Sequence, residues 1–133
     1  MKTLQIFGIF LLLIFMTGII GCDPVDSGDD NDPREKYLGT WQVSDQPARL
    51  NYEVIIEFNP ANSTEVLLKN FADFGKPVIG LVVGNSIVID KQTVTNDFKI
   101  EGTGTYIKSS ELRFDFNLDD GIDNEARKSV FTR

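Results

Sequence analysis

From position 111 the chain reads Glu111-Leu112-Arg113-Phe114-Asp115-Phe116-Asn117-Leu118, polar and apolar by strict turns. Only an extended backbone puts every second side chain on one face, so this is a β-strand with Leu112, Phe114, Phe116 and Leu118 buried. The stretch Tyr52 to Phe58 repeats the pattern, with Tyr52, Val54, Ile56 and Phe58 inward and Glu53 and Glu57 outward. No amphipathic helix signal of useful length competes between Tyr37 and Arg133. Further strands are expected at Leu38 to Val43, Thr64 to Asn70, Val78 to Val83, Ile87 to Asp90, Phe98 to Ile107 and Lys128 to Thr132. Asn59 to Ser63, Gly84-Asn85 and Ser109-Ser110 are turn chemistry between them. About eight short strands joined by hairpins predict an all-β fold, a small antiparallel up-and-down barrel, because closure removes the edges that would otherwise aggregate.

Two glycines sharpen that expectation. Gly102 and Gly104 lie two apart, on one face of one strand, where glycine weakens pairing and marks a sharp bend, a bulge or the close approach of another group. They read as a barrel corner or as room left for a ligand.

The residue inventory excludes most catalysis. One cysteine and no histidine leave no disulfide framework, no Cys/His zinc site and no Ser-His-Asp or Cys-His pair. A net charge of -7 excludes a nucleic-acid footprint, which needs clustered Lys and Arg. A paired-carboxylate hydrolase would draw on Asp115 with Glu53 or Glu57, yet all three face water, where carboxylates make poor general acids. No enzymatic activity and no cofactor are expected.

The N-terminus carries an address. Met1 to Gly21 bears one charge, Lys2, then an apolar run from Ile6 to Ile20. As a helix that run reaches about 22 Å, short of the ~30 Å hydrocarbon core, so it reads as a signal peptide. It ends Ile19-Ile20-Gly21-Cys22, which resembles the bacterial lipobox, and the chain's one cysteine sits where the lipidated residue would be. The resemblance implies cleavage before Cys22 and a lipid anchor on it; several acyl chains hold a protein stably on a membrane. An unmodified Cys22 thiol after ordinary cleavage is the alternative. Residues 22–36 hold six acids, two bases and one aliphatic residue, Val25, and should form an extended acidic tether. An acidic stretch directly after the lipid-bearing cysteine also resembles the surface-export signal of Bacteroidetes-type lipoproteins. The expected location is the cell envelope, on the outer membrane and surface-exposed. The expected organisation is then a leader at 1–21, a tether at 22–36 and a barrel at 37–133.

The barrel's first strand carries a resemblance. Tyr37-Leu38-Gly39-Thr40-Trp41 resembles the G-x-W opening of lipocalin and calycin barrels. Asn70-Phe71, Gly75, the apolar run through Val83 and Glu101 to Tyr106 are similar to small lipocalin-like lipoproteins of the Bacteroidetes. The resemblance implies that Gly39 and Trp41 close the barrel floor with an arginine from near the chain end stacked on the indole, Arg127 and Arg133 being the candidates. The chain departs from true lipocalins in lacking their T-D-Y signature and in having about 97 residues for the barrel. Side chains can fill so small an interior.

Two readings of function stay open. In one, the barrel holds a small apolar or amphipathic ligand, with Tyr52, Val54, Phe71, Phe74, Phe114 and Phe116 at the interior or mouth. In the other, the barrel is filled and its outer face meets another envelope protein or a glycan. Phe71 and Phe74 sit in a Gly/Pro-containing connection, as a flap over a mouth, an exposed recognition patch, or a cap on the core. Asp119, Asp120 and Asp123, beside Asn124 and Glu125, offer oxygens for a calcium ion at a spacing that fits no defined motif; a solvated hairpin is the simpler reading.

Overall fold

The computed structural model describes residues 31–133. The expected leader, the lipidation position Cys22 and most of the tether lie outside the described residues. Eight strands follow one another: β1 (Gly39–Gln46), β2 (Leu50–Phe58), β3 (Glu65–Lys69), β4 (Pro77–Val83), β5 (Ser86–Thr95), β6 (Phe98–Lys108), β7 (Glu111–Asp119) and β8 (Asn124–Thr132). Each pairs antiparallel with the next, and β8 returns to β1, so the sheet is a closed up-and-down barrel. Val43 shows the closure, facing Tyr52 of β2 on one side and Phe131 of β8 on the other.

Alternation decides what is inside. Trp41, Val54, Ile56, Leu68, Ile87, Ile100, Leu112, Phe114 and Phe131 are buried, and all belong to one core. Burying each such side chain contributes roughly 1.5 to 3 kcal/mol. Phe58 departs from its expected inward position. It is 40% exposed, and the guanidinium of Arg34 lies 4.3 Å over its ring.

Three strands run further than their apolar patterns. β1 continues past Val43 to Gln46, β5 past Asp90 to Thr95, and β8 begins at Asn124 rather than Lys128. In β1 and β8 the inward positions continue as Asp45, Arg127 and Ser129, which a search for alternating apolar residues passes over. In β5 the register shifts between Ile89 and Gln92, and beyond the shift the buried side chain is Val94.

The same effect moves the domain boundary. The barrel forms one compact unit from Asp32 to Arg133, so residues 32–36, expected in the tether, pack with the barrel. Arg34 is buried, donates to the carbonyls of Asn62 (3.3 Å) and Glu65 (3.0 Å), and is gripped by the Asp32 carboxylate. Those bonds hold the Asp32 carboxyl below its ordinary range. Composition registers an arginine's charge, whereas its stem and planar head can cover apolar surface.

The glycines take neither of their expected roles alone. A Cβ on Gly104 would fall 2.2 Å from the Phe114 ring, and one on Gly102 would fall 2.4 Å from the Asp115 carbonyl oxygen and 2.5 Å from the Phe116 Cβ. Gly104 and Gly102 face Phe114 and Phe116 across β6 and β7. The room is taken by neighbouring phenylalanines, a pairing of small with large that keeps a small barrel at native packing density.

Candidate functional site

The two ends of the barrel are closed in different ways. At one end a 3-10 turn, Glu35–Tyr37, lies across the floor. Trp41 beneath it is fully buried, and its indole N–H donates to the Tyr37 carbonyl at 2.8 Å. The guanidinium of Arg133 stacks 4.0 Å from that indole and donates to the carbonyls of Lys36, Leu38 and Ser109. Gly39 has φ of 119°, and a Cβ there would come 3.2 Å from the Arg133 guanidinium. The glycine of the opening is thus required both by its backbone and by the arginine beside it. Tyr37 donates to the Gly84 carbonyl at 3.1 Å and meets Tyr106 edge to face at 5.8 Å. Burial, with Tyr106 adding to it, pushes the Tyr37 hydroxyl up to about 12.

Arg127 does not share this role. It lies towards the other end, on the inner side of β8, with its guanidinium 3.7 Å from Asp45 and 3.3 Å from Glu125. The physical reason is strand direction: β8 runs from Asn124 to Thr132, so six residues separate the two arginines along most of the barrel's height.

That second end is filled by the β3–β4 connection. Its 3-10 turn, Phe71–Asp73, sends Phe71 to the barrel centre, where the ring is fully buried. Ring centroids lie 5.3 Å from Phe114, 4.9 Å from Phe116 and 6.1 Å from Phe131. Phe74 stays nearer the rim, half-buried and 4.9 Å from Phe98. The two phenylalanines cap the core and present no exposed patch. The connection bends hard to do this: Asn70, Ala72, Asp73 and Gly75 all have φ between 57° and 70°.

Beside the plug lies a buried polar cluster. Asp45 is fully buried; it accepts from the Ser129 hydroxyl and, at 2.9 Å, from the Tyr52 hydroxyl. Burial raises the Asp45 carboxyl above its ordinary range, against the pull of Ser129, Tyr52 and Arg127. Burial and the Asp45 charge push the Tyr52 hydroxyl upward as well. The Nε of Arg127 is buried and has no hydrogen-bond partner among the described residues. Of the expected ligand-site residues, Tyr52, Val54, Phe71, Phe114 and Phe116 are brought together inside the barrel.

Asp45 and Ser129 were not expected in a site. Counting by twos from Trp41 reaches Asp45, and counting back from Phe131 reaches Ser129 and Arg127. The signal was present in the alternation of position, not of polarity.

The acidic turn is used locally. Asp119 accepts the Gly121 amide at 2.8 Å, and Asp120 accepts those of Ile122 (2.8 Å) and Asp123 (2.6 Å). These bonds hold the Asp120 carboxyl below its usual range. Among the described residues no group of three or more His, Cys, Asp or Glu is arranged to hold a metal ion. Glu53, Glu57 and Asp115 are exposed on the outer face, with Glu57 2.7 Å from Lys69.

No family model matches the chain. No curated protein matches it either. Among solved structures the chain is similar to EF1p2_mFAP2b, solved bound to DFHBI, with 16% sequence identity and a TM-score of 0.50 over 77% of this chain and 99% of that one. At that identity the likeness is one of fold.

Proposed function

We propose that this chain is an envelope lipoprotein of the Bacteroidetes type, anchored by a lipid on Cys22, whose lipocalin-like barrel carries a small apolar or amphipathic molecule. The observation that carries the reading is the asymmetry of the ends. One is pinned by Trp41, Arg133 and the opening turn, while the other is filled by a bent loop, residues 70–76, that belongs to no strand pair. A protein of similar fold is solved with a small molecule bound, which supports a binding role for such a barrel. The role is binding without catalysis, since the candidate carboxylates lie outside in water.

Two experiments test the parts separately. Metabolic labelling with a fatty acid should mark the wild type and not Cys22→Ala; an unlabelled wild type removes the anchor. Native mass spectrometry of Asp32–Arg133 purified from its own host should show an adduct of a few hundred daltons, lost on denaturation.

A second reading rests on the packed interior. Phe71, Phe114, Phe116 and Phe131 already occupy the centre, so the barrel also suits a filled scaffold that presents its outer face to another envelope protein or a glycan. Ile79 and Val83 of β4, 43% and 56% exposed, lie on that face. A bare mass from the native host would favour this scaffold and overturn the carrier.

A further inference from the structure

We infer that the β3–β4 connection is a self-plug and that Phe71 occupies the place of the ligand, a compact aromatic molecule with a hydrogen-bond-accepting end. The inference rests on the carrier reading and deepens it. Phe71 is the one fully buried aromatic of the described barrel that comes from the connection, whereas Trp41, Phe114 and Phe131 stand on strands and Tyr37 on the floor turn. The strands would keep their pairing if Phe71 withdrew, and the space left would be walled by the rings of Phe114, Phe116 and Phe131.

The connection is closed on itself at its base. Asn70 N–H donates to the Lys76 carbonyl at 3.2 Å, and Gly75 N–H donates to the Asn70 side-chain oxygen at 2.7 Å. These bonds clip the two ends of the loop together, and the Asn70 amide holds the clip to the Glu53 carbonyl at 2.9 Å. Between them Ala72 and Asp73 have φ of 57° and 64°, a left-handed conformation that is unfavourable for residues carrying a Cβ. Strain of this kind persists only where surrounding contacts hold it, and here the burial of Phe71 and Ala72 holds it together with the bonds at the base of the loop.

The polar cluster sets the ligand's other end. Arg127 and Ser129 face Phe116 and Phe114 across β7 and β8, so the cluster borders the space that Phe71 fills. Arg127 Nε is a buried donor without a partner, and the other guanidinium nitrogens already meet Asp45 and Glu125. A flat ring in place of Phe71, bearing an acceptor oxygen towards Arg127, would satisfy that donor.

The test uses 2-naphthoate as probe on Asp32–Arg133, the unit that contains its own core. Relieving a left-handed position with Ala72→Gly, which changes no charge, should favour the plugged state and weaken naphthoate binding roughly fivefold. Phe71→Ala should tighten binding at least tenfold, while Phe114→Ala, which damages the wall, should not. Hydrogen exchange on the wild type should show naphthoate speeding exchange at the amides of residues 71–75 as it protects the strands. This arm decides alone if Phe71→Ala fails to fold. Naphthoate that binds without changing exchange at 71–75, or that ignores Ala72→Gly, overturns the plug and leaves the carrier reading standing. Failure to bind to wild type and to Phe71→Ala also overturns it, while the native-host adduct separately decides the carrier.

Discussion

A single carboxylate inside a small barrel alters how the fold responds to pH. Burial raises the Asp45 carboxyl in the folded state above its ordinary 3.8. The folded state therefore binds this proton more tightly, so the contribution of Asp45 is most favourable below the unfolded value and is lost as pH rises through the folded one. Asp120 acts in the opposite sense: its carboxyl is depressed by backbone amides, and its contribution is lost as pH falls. Urea titrations between roughly pH 4 and 7 should show a flatter slope in Asp45→Asn than in the wild type, since the variant removes this protonation. An unchanged slope would mean that Asp45 titrates as an ordinary carboxyl. Arg133→Ala should cost about 2 to 4 kcal/mol by the same method, because it strips the indole stack and three carbonyl partners together.

Among elements, β6 and β7 make the most specific demand. The Phe114 ring lies where a side chain on Gly104 would be, so Gly104→Ala should destabilise by about 1 to 3 kcal/mol as an overpacked core does. In a Phe114→Ala background, itself costing about 3 to 5 kcal/mol, most of the Gly104→Ala penalty should disappear. Additive losses in that double-mutant cycle would contradict the small-with-large pairing. The β4–β5 seam makes a different demand. Only Leu81 to Val83 pair with β5 there, and beyond them the Gln92 side chain bonds both the amide (2.8 Å) and the carbonyl (2.9 Å) of Ile79. Gln92→Ala should cost about 1 kcal/mol and raise hydrogen exchange at Ile79 more than at Leu112 in the intact β7 ladder.

For the whole molecule, the question is where the fold begins. Arg34 closes the β2–β3 turn and Tyr37 closes the floor, so a chain starting at Asp32 should unfold with the same midpoint as one that keeps residues 22–31. A chain starting at Leu38 loses the Tyr37 contacts, the Trp41 acceptor and the Arg34 bonds at once. It should be destabilised by at least 3 kcal/mol or fail to fold. Equal midpoints for the two truncations would return residues 32–36 to the expected tether.

Alternation by itself determined the class, the strand count and most of the core, because period two is a property of the extended backbone and needs no partner to be seen. Phe114 and Phe116 are inward for that reason, and Glu53 and Asp115 outward. The first strand also carried Gly39 and Trp41 at its opening, though which arginine would meet Trp41 depended on the direction and length of β8. Tertiary structure alone decided the rest. Asp45, Arg127 and Ser129 became an interior cluster because a closed barrel buries every inward position whatever its polarity. Phe71 reached the centre because four left-handed residues turn its loop inward. A loop's path follows from what its strands leave unfilled, and that space exists only once β8 has paired with β1.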